Sequence, residues 1–140
     1  MALTRVVATG TFDLLHPGHL TYLEESKALG DELIVIVARD VNVKHKPKPY
    51  IPEEQRLKMV SALGIVDKAV LGSRDDIFVP IRTWSPDIIT LGYDQHFDET
   101  WLMAELLKRG IRSKVVRIRS HDACELCSSR RIISRILSEI

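Results

Sequence analysis

The ten residues Gly10 to His19, GTFDLLHPGH, restrict the fold of this chain more than any other stretch. Before them lies Leu3 to Thr9, a β-branched run that suits a buried strand, and after them Leu20 to Leu29 carries helical spacing that stops at Gly30. The segment between is therefore a strand-to-helix turn. Gly10 lets the backbone approach a bulky anion closely, while the unpaired N–H groups and positive dipole end of the following helix offer donors to it. Pro17 fits the first helical position, where its missing N–H would have had no partner. His16 and His19 stand three apart, so both rings can reach whatever lies over the helix N-terminus, and each can donate a hydrogen bond to phosphate oxygens. One histidine near a helix start is ordinarily a cap, and one glycine turn is ordinarily a turn. Together, with Asp13 between them, they point to a nucleotide-phosphate site.

Strand and helix signals alternate along the rest of the chain. Strands are expected at Glu32–Ala38, Val66–Leu71, Asp87–Leu91 and Lys114–Ile118. Helices are expected from Pro52 to about Leu63, after Asp75 and Asp76 with Pro80 inside a short or kinked segment, from Asp98 to Arg109, and from Ser129 to Glu139. Such alternation predicts an α/β fold: a single Rossmann-like, doubly wound domain over 1–140, with a five-stranded parallel sheet in the order 3-2-1-4-5. That order puts a switch point between strands 1 and 4, and the loops flanking the crevice there are GTFDLLH and Gly92-Tyr93-Asp94-Gln95.

Composition excludes several function classes. The net charge of +1 gives no bulk reason for nucleic-acid binding, so any basic site must be local. The longest apolar run, Leu33 to Ala38, is far too short to cross a bilayer, and the N-terminus leads almost directly into the first strand, which together read as a cytoplasmic protein without a membrane partner. Cys124 and Cys127, the two cysteines, make no disulfide framework. A zinc site would need two further ligands and only His121 is near, so no metal site is expected on the protein. In a cytoplasmic setting both thiols should be reduced, with a redox-modulating role open to Cys127 because it directly precedes a helix.

Local clusters carry the remaining signals. The loop after strand 2 holds Arg39, Asp40, Lys44, His45, Lys46 and Lys48; a basic loop is usually a solvated surface, but this one leaves the sheet beside the same crevice and can supply charge to phosphates. Glu53 and Glu54 suit the first turn of a helix, which leaves Arg56 unexplained by that role. Asp98 is better placed than Asp94 to cap the next helix, so Asp94 is available for a ligand. Ser128 or Ser129 caps the last helix, and with Arg130 the pair also forms an anion-friendly helix start.

GTFDLLHPGH resembles the HxGH signature of the nucleotidyltransferase superfamily that includes the cytidylyltransferases, phosphopantetheine adenylyltransferase and the nicotinamide-nucleotide adenylyltransferases. The resemblance implies His16, His19 and Lys44 as catalytic residues, and Gly10, Thr11, Phe12, Gly18, Gly92, Asp94, Ser128, Ser129 and Arg130 as nucleotide-binding. It leaves Asp13, Arg39, Asp40, Lys46, Arg56 and Tyr93 as substrate-binding candidates. Upstream of the serines, His121, Asp122, Cys124 and Cys127 stand where cytidylyltransferases have Arg-Thr, Gly and Ile. The CxxCSS form is instead similar to the archaeal FAD synthases, as are IVIVARD, IPEEQR and LGYDQ. That likeness implies transfer of AMP from ATP to the phosphate of FMN, a divalent ion such as Mg²⁺ carried by the triphosphate, and the homodimer common among relatives. Two alternatives stand beside it: a glycerol- or ethanolamine-phosphate cytidylyltransferase using CTP, and a non-catalytic nucleotide-binding regulatory module.

Overall fold

In the computed structural model, which describes residues 2–44, 47–121 and 124–140, strands and α-helices alternate, with one short 3-10 turn at Asp40–Asn42 in the loop after the second strand. They are β1 (Arg5–Gly10), α1 (Pro17–Lys27), β2 (Glu32–Val37), α2 (Glu53–Ser61), β3 (Lys68–Leu71), α3 (Phe78–Trp84), β4 (Ile88–Leu91), α4 (Glu99–Lys108), β5 (Lys114–Arg117) and α5 (Ser129–Ser138). All strand pairs are parallel and the order is β3-β2-β1-β4-β5, as the sequence predicts. β1 is central because it has no polar face to offer water: Val6, Val7 and Ala8 are completely buried.

The pleat sorts the apolar runs onto two faces. Leu33, Val35 and Val37 of β2 join Val6 and Ala8 against Leu23 of α1 and Val60 of α2. Their alternates, Ile34 and Ile36, join Val7, Ile89 and Leu91 against Phe78 of α3 and Leu102 and Leu106 of α4. α5 buries none of its residues and is held at its N-terminal end, where the Ser129 hydroxyl donates to the Leu14 carbonyl at 3.2 Å. Among the described residues no helix is long and apolar enough to cross a membrane.

Several boundaries differ from the expected ones for local reasons. β3 starts at Lys68 because Asp67 turns its carboxylate back onto the Leu33 N–H at 2.7 Å, and Lys27 and that N–H together hold the carboxyl below its ordinary pKa. α3 starts later than Asp75, with Asp76 accepting from the Phe78 N–H at 2.9 Å. Pro80 then falls in the first turn, where no N–H is required, so α3 needs no kink.

One buried polar group sits at the switch point. The Tyr22 hydroxyl, from α1, lies against β1 and β4, and burial pushes its pKa from 10.0 up to about 12. Below pH 10 folded and unfolded chains both keep this proton; between about pH 10 and 12 the unfolded chain releases it first, so stability falls with rising pH by up to about 1.4 kcal/mol per unit from this group. Urea midpoints at pH 9 and pH 11 should therefore differ less in Tyr22→Phe than in the parent. An equal alkaline loss in both proteins would refute this.

Candidate active site

The GTFDLLH turn is built by close contacts that its sequence permits. Phe12 adopts a left-handed backbone (φ 55°) and its ring folds back over Gly10, where a Cβ would stand 2.8 Å from ring carbons. At Gly18 a Cβ would meet His16 Cε1 at 2.9 Å, so this glycine lets the imidazole lie across the start of α1.

His16 is the N-cap of that helix, and the two histidines cap it reciprocally. His16 Nδ1 accepts from the Gly18 N–H at 3.1 Å, and His19 Nδ1 accepts from the His16 N–H at 3.3 Å. This is a capping box with histidines in place of the usual hydroxyl and carboxamide or carboxylate. A neutral imidazole that accepts at Nδ1 carries its proton on Nε2, so the geometry assigns both rings as Nε2–H donors. Their centroids are 3.9 Å apart at the positive end of α1, which pairs two donors for phosphate oxygens.

The loop after β2 is tied down by residues that the sequence suggests for substrate. Arg56 is buried: its guanidinium donates to the carbonyls of Ile51 at 2.8 Å and Thr11 at 2.6 Å and pairs with Asp40 at 2.5 Å. Arg39 donates to the Gly72 carbonyl and to Glu53, while Glu53 accepts from the Asp40 N–H at 2.8 Å. That N–H, and then Arg39, hold the Glu53 carboxyl below its ordinary pKa. Asp13 accepts from the N–H groups of Tyr50 and Ile51 at 3.0 and 2.9 Å. In this conformation Asp13, Arg39, Asp40 and Arg56 brace the loop against the GTFD turn, and the fully buried Arg56 side chain presents no surface to a substrate. Lys44 is exposed on the loop; Lys46 lies outside the described residues.

On the other side of the crevice Arg117, which no motif or spacing marks, organises the loop after β4. It donates to the carbonyls of Gly92 at 2.8 Å, Gln95 at 2.9 Å and Phe97, and pairs with Glu99 at 2.6 Å. Its only sequence signal is a charge inside the apolar run KVVRI. Asp94 and Tyr93 are exposed there, and the Tyr93 ring stacks on His121 with centroids 4.2 Å apart. Ser128 caps α5, Ser129 bridges to Leu14 of the turn, and Arg130 is exposed. This brings the serines to the histidine turn while Lys44 stays on a separate loop.

Cys124 and Cys127 form a disulfide with Cα atoms 5.3 Å apart, in contrast to the reduced pair expected from sequence. The bonded sulfurs are not thiolate ligands in this state. Among the described residues no three His, Cys, Asp or Glu side chains converge on a metal position. The donors at the turn are N–H and O–H groups, which suit phosphate oxygens, so the residues present fit a cation brought in on a triphosphate.

A model of the cytidylyltransferase-like family matches residues 7–135. The chain belongs to the cytidylyltransferase-like family. FAD synthase of Methanothrix thermoacetophila is 68% identical over 98% of this chain and 96% of its own length. FAD synthase of Archaeoglobus fulgidus is 62% identical over 95% of this chain and 97% of its own. A crystal structure of a lipopolysaccharide core biosynthesis protein from Thermoplasma volcanium, 49% identical, matches 86% of this chain and 100% of that one with a TM-score of 0.83.

The bracing role of Arg56 has a stability consequence. Arg56→Met keeps the apolar stem but leaves two carbonyls and a carboxylate without their donor, and should cost at least about 2 kcal/mol in chemical denaturation. An undiminished denaturation midpoint would show that the network does not hold the loop.

Proposed function

We propose that this chain, as one nucleotidyltransferase unit over 1–140, is an FMN adenylyltransferase. A phosphate oxygen of FMN attacks the α-phosphorus of ATP, the bond from that phosphorus to the β-phosphate oxygen breaks, and pyrophosphate leaves with the bonding electrons. FAD is the other product. The observation that carries the phosphate chemistry is the reciprocal histidine cap, which presents two Nε2–H donors at one helix N-terminus. The choice of ATP and FMN is supported by the likeness to relatives named FAD synthase along nearly the whole chain.

No covalent enzyme intermediate is required. The chain's work is to hold two anions in line and to stabilise the charge that develops between them. His16 and His19 donate to oxygens about the α-phosphate, and the N–H groups of the first turn of α1 add to the same field. Lys44 offsets charge on the acceptor phosphate. Ser128, Ser129 and Arg130 hold the pyrophosphate, a role supported by the Ser129 bridge that brings the start of α5 to the turn. Asp94 and Gly92 meet the nucleoside part. A divalent ion, Mg²⁺ by preference, supplies further charge neutralisation when it arrives with the triphosphate. We place the enzyme in the cytoplasm.

The test is pyrophosphate release by the pure protein with ATP or CTP crossed with FMN, glycerol phosphate or ethanolamine phosphate. ATP with FMN should give FAD; CTP with a small phosphorylated alcohol giving the faster reaction would overturn the assignment. Riboflavin should be a very poor acceptor because it lacks the attacking phosphate. His16→Ala and His19→Ala should each lower turnover by on the order of a hundredfold or more while ATP binding changes much less. Near-native turnover in either folded variant would remove the histidines from the chemistry.

A further inference from the structure

The sheet stops abruptly at the switch point, and the way it stops is informative. β1 pairs with β2 through Gly10↔Val37, but its pairing with β4 ends at Ala8↔Thr90. In β1 the carbonyls of Thr4 and Gly10 accept on the β2 side, whereas the Arg5 carbonyl accepts from Asp87 on the β4 side. Odd-numbered residues of β1 therefore face β4. With Ala8 opposite Thr90, the next rung of a regular parallel ladder would run from the Gly92 N–H to the Thr9 carbonyl.

That rung is replaced by two side chains. The Thr9 carbonyl lies 3.1 Å from the Tyr22 hydroxyl, which also accepts from the Thr9 N–H at 3.1 Å and lies 2.9 Å from the Thr90 carbonyl. The Gly92 N–H donates instead to Gln95 Oε1 at 2.7 Å, and the Gln95 amide nitrogen donates to Thr9 Oγ1 at 3.0 Å. The Gly92 and Thr9 N–H groups each gain a side-chain acceptor, and the single Tyr22 proton serves the Thr9 and Thr90 carbonyls between which it lies, nearer to that of Thr90, so the strands part with side chains in place of ladder bonds. The Tyr22 proton is retained at any working pH, since burial has pushed its loss up to about 12.

We propose that Tyr22 and Gln95 are positioning residues that set the separation of the two walls of the crevice. Tyr22 lies one turn beyond His19 on α1, so its hydroxyl ties the helix carrying the histidine pair to the ends of β1 and β4. Gln95 ties the loop carrying Gly92 and Asp94 to Thr9, directly before Gly10. The phosphate donors and the nucleoside-facing loop are thereby held in one register. Displacements of about 1 Å at such walls can change turnover about a hundredfold, while binding, spread over many contacts, changes less. The inference rests on the nucleotidyl-transfer reading for its kinetic consequence, and its structural part stands apart from that reading.

The test uses Tyr22→Phe, Gln95→Ala and the double variant of the full chain, with each nucleotide and acceptor that the parent turns over. Each single variant should lose at least tenfold in kcat with less than about a threefold change in KM for the nucleotide. Because both caps serve one gap, the double variant should lose little more than the worse single. Hydrogen exchange supplies a readout without catalysis: the Gly92 amide should exchange at least tenfold faster in Gln95→Ala, and the Thr9 amide faster in Tyr22→Phe, with exchange in β2 unchanged. Gln95→Ala changes only a partly exposed loop side chain and keeps the test available if Tyr22→Phe does not fold. Turnover within twofold of the parent, single losses that multiply in the double variant, or unchanged exchange at Gly92 would overturn the proposal. A parent that transfers nothing would overturn the functional assignment alone, and the exchange measurement would still decide the brace.

Discussion

A strand paired on both edges and buried on both faces cannot simply end, because its last N–H and C=O groups would be left without partners away from water. β1 is such a strand, and the structure around its carboxyl end answers that constraint. On the β2 side the ladder carries through to Gly10, whose carbonyl takes the Ala38 N–H at 2.9 Å. On the β4 side the Tyr22 hydroxyl and the Gln95 amide serve in place of a further rung. The two edges thus end at different heights, and the crevice opens at the lower one.

The same logic governs the first turn of α1. Its leading N–H groups need partners, and histidines supply them instead of the more common serine or aspartate. A neutral imidazole that accepts through one nitrogen presents a donor on the other, so the cap that closes the helix also fixes where each ring donates. The glycines at positions 10 and 18 make room for it: one admits the Phe12 ring, the other the His16 ring. Substituting either with alanine would press a methyl group into those rings.

The basic loop after β2 illustrates how charge is divided between scaffold and site. Arg39 and Arg56 are both consumed by carbonyls and carboxylates, and the arginine fork suits such multiple bonding. Lys44 stays exposed on the segment those arginines anchor, a point charge on a braced base. On the opposite wall Arg117 does for the Gly92–Phe97 loop what Arg56 does for the lysine loop.

The strand order, the two-faced packing and the location of the histidine turn were legible in the sequence because each rests on short-range pattern. Apolar runs of strand length, Pro17 and Asp98 at helix starts and glycines at turns act within a few residues of themselves. The roles of Arg56, Asp13, Arg117, Tyr22 and Gln95 were not legible, because each depends on a partner brought near by the sheet. Arg56 stands in the sequence as a substrate-binding candidate until Thr11, distant along the chain, places a carbonyl at 2.6 Å from it. Nothing in the spacing of 20–29 singles out Tyr22, whose role appears only where β1 and β4 meet at its hydroxyl. Local chemistry determined which elements form and where helix N–H groups and histidine donors gather. Only the tertiary structure decided which polar side chains hold the crevice open, since a hydrogen bond across the sheet leaves no trace in the spacing of residues along the chain.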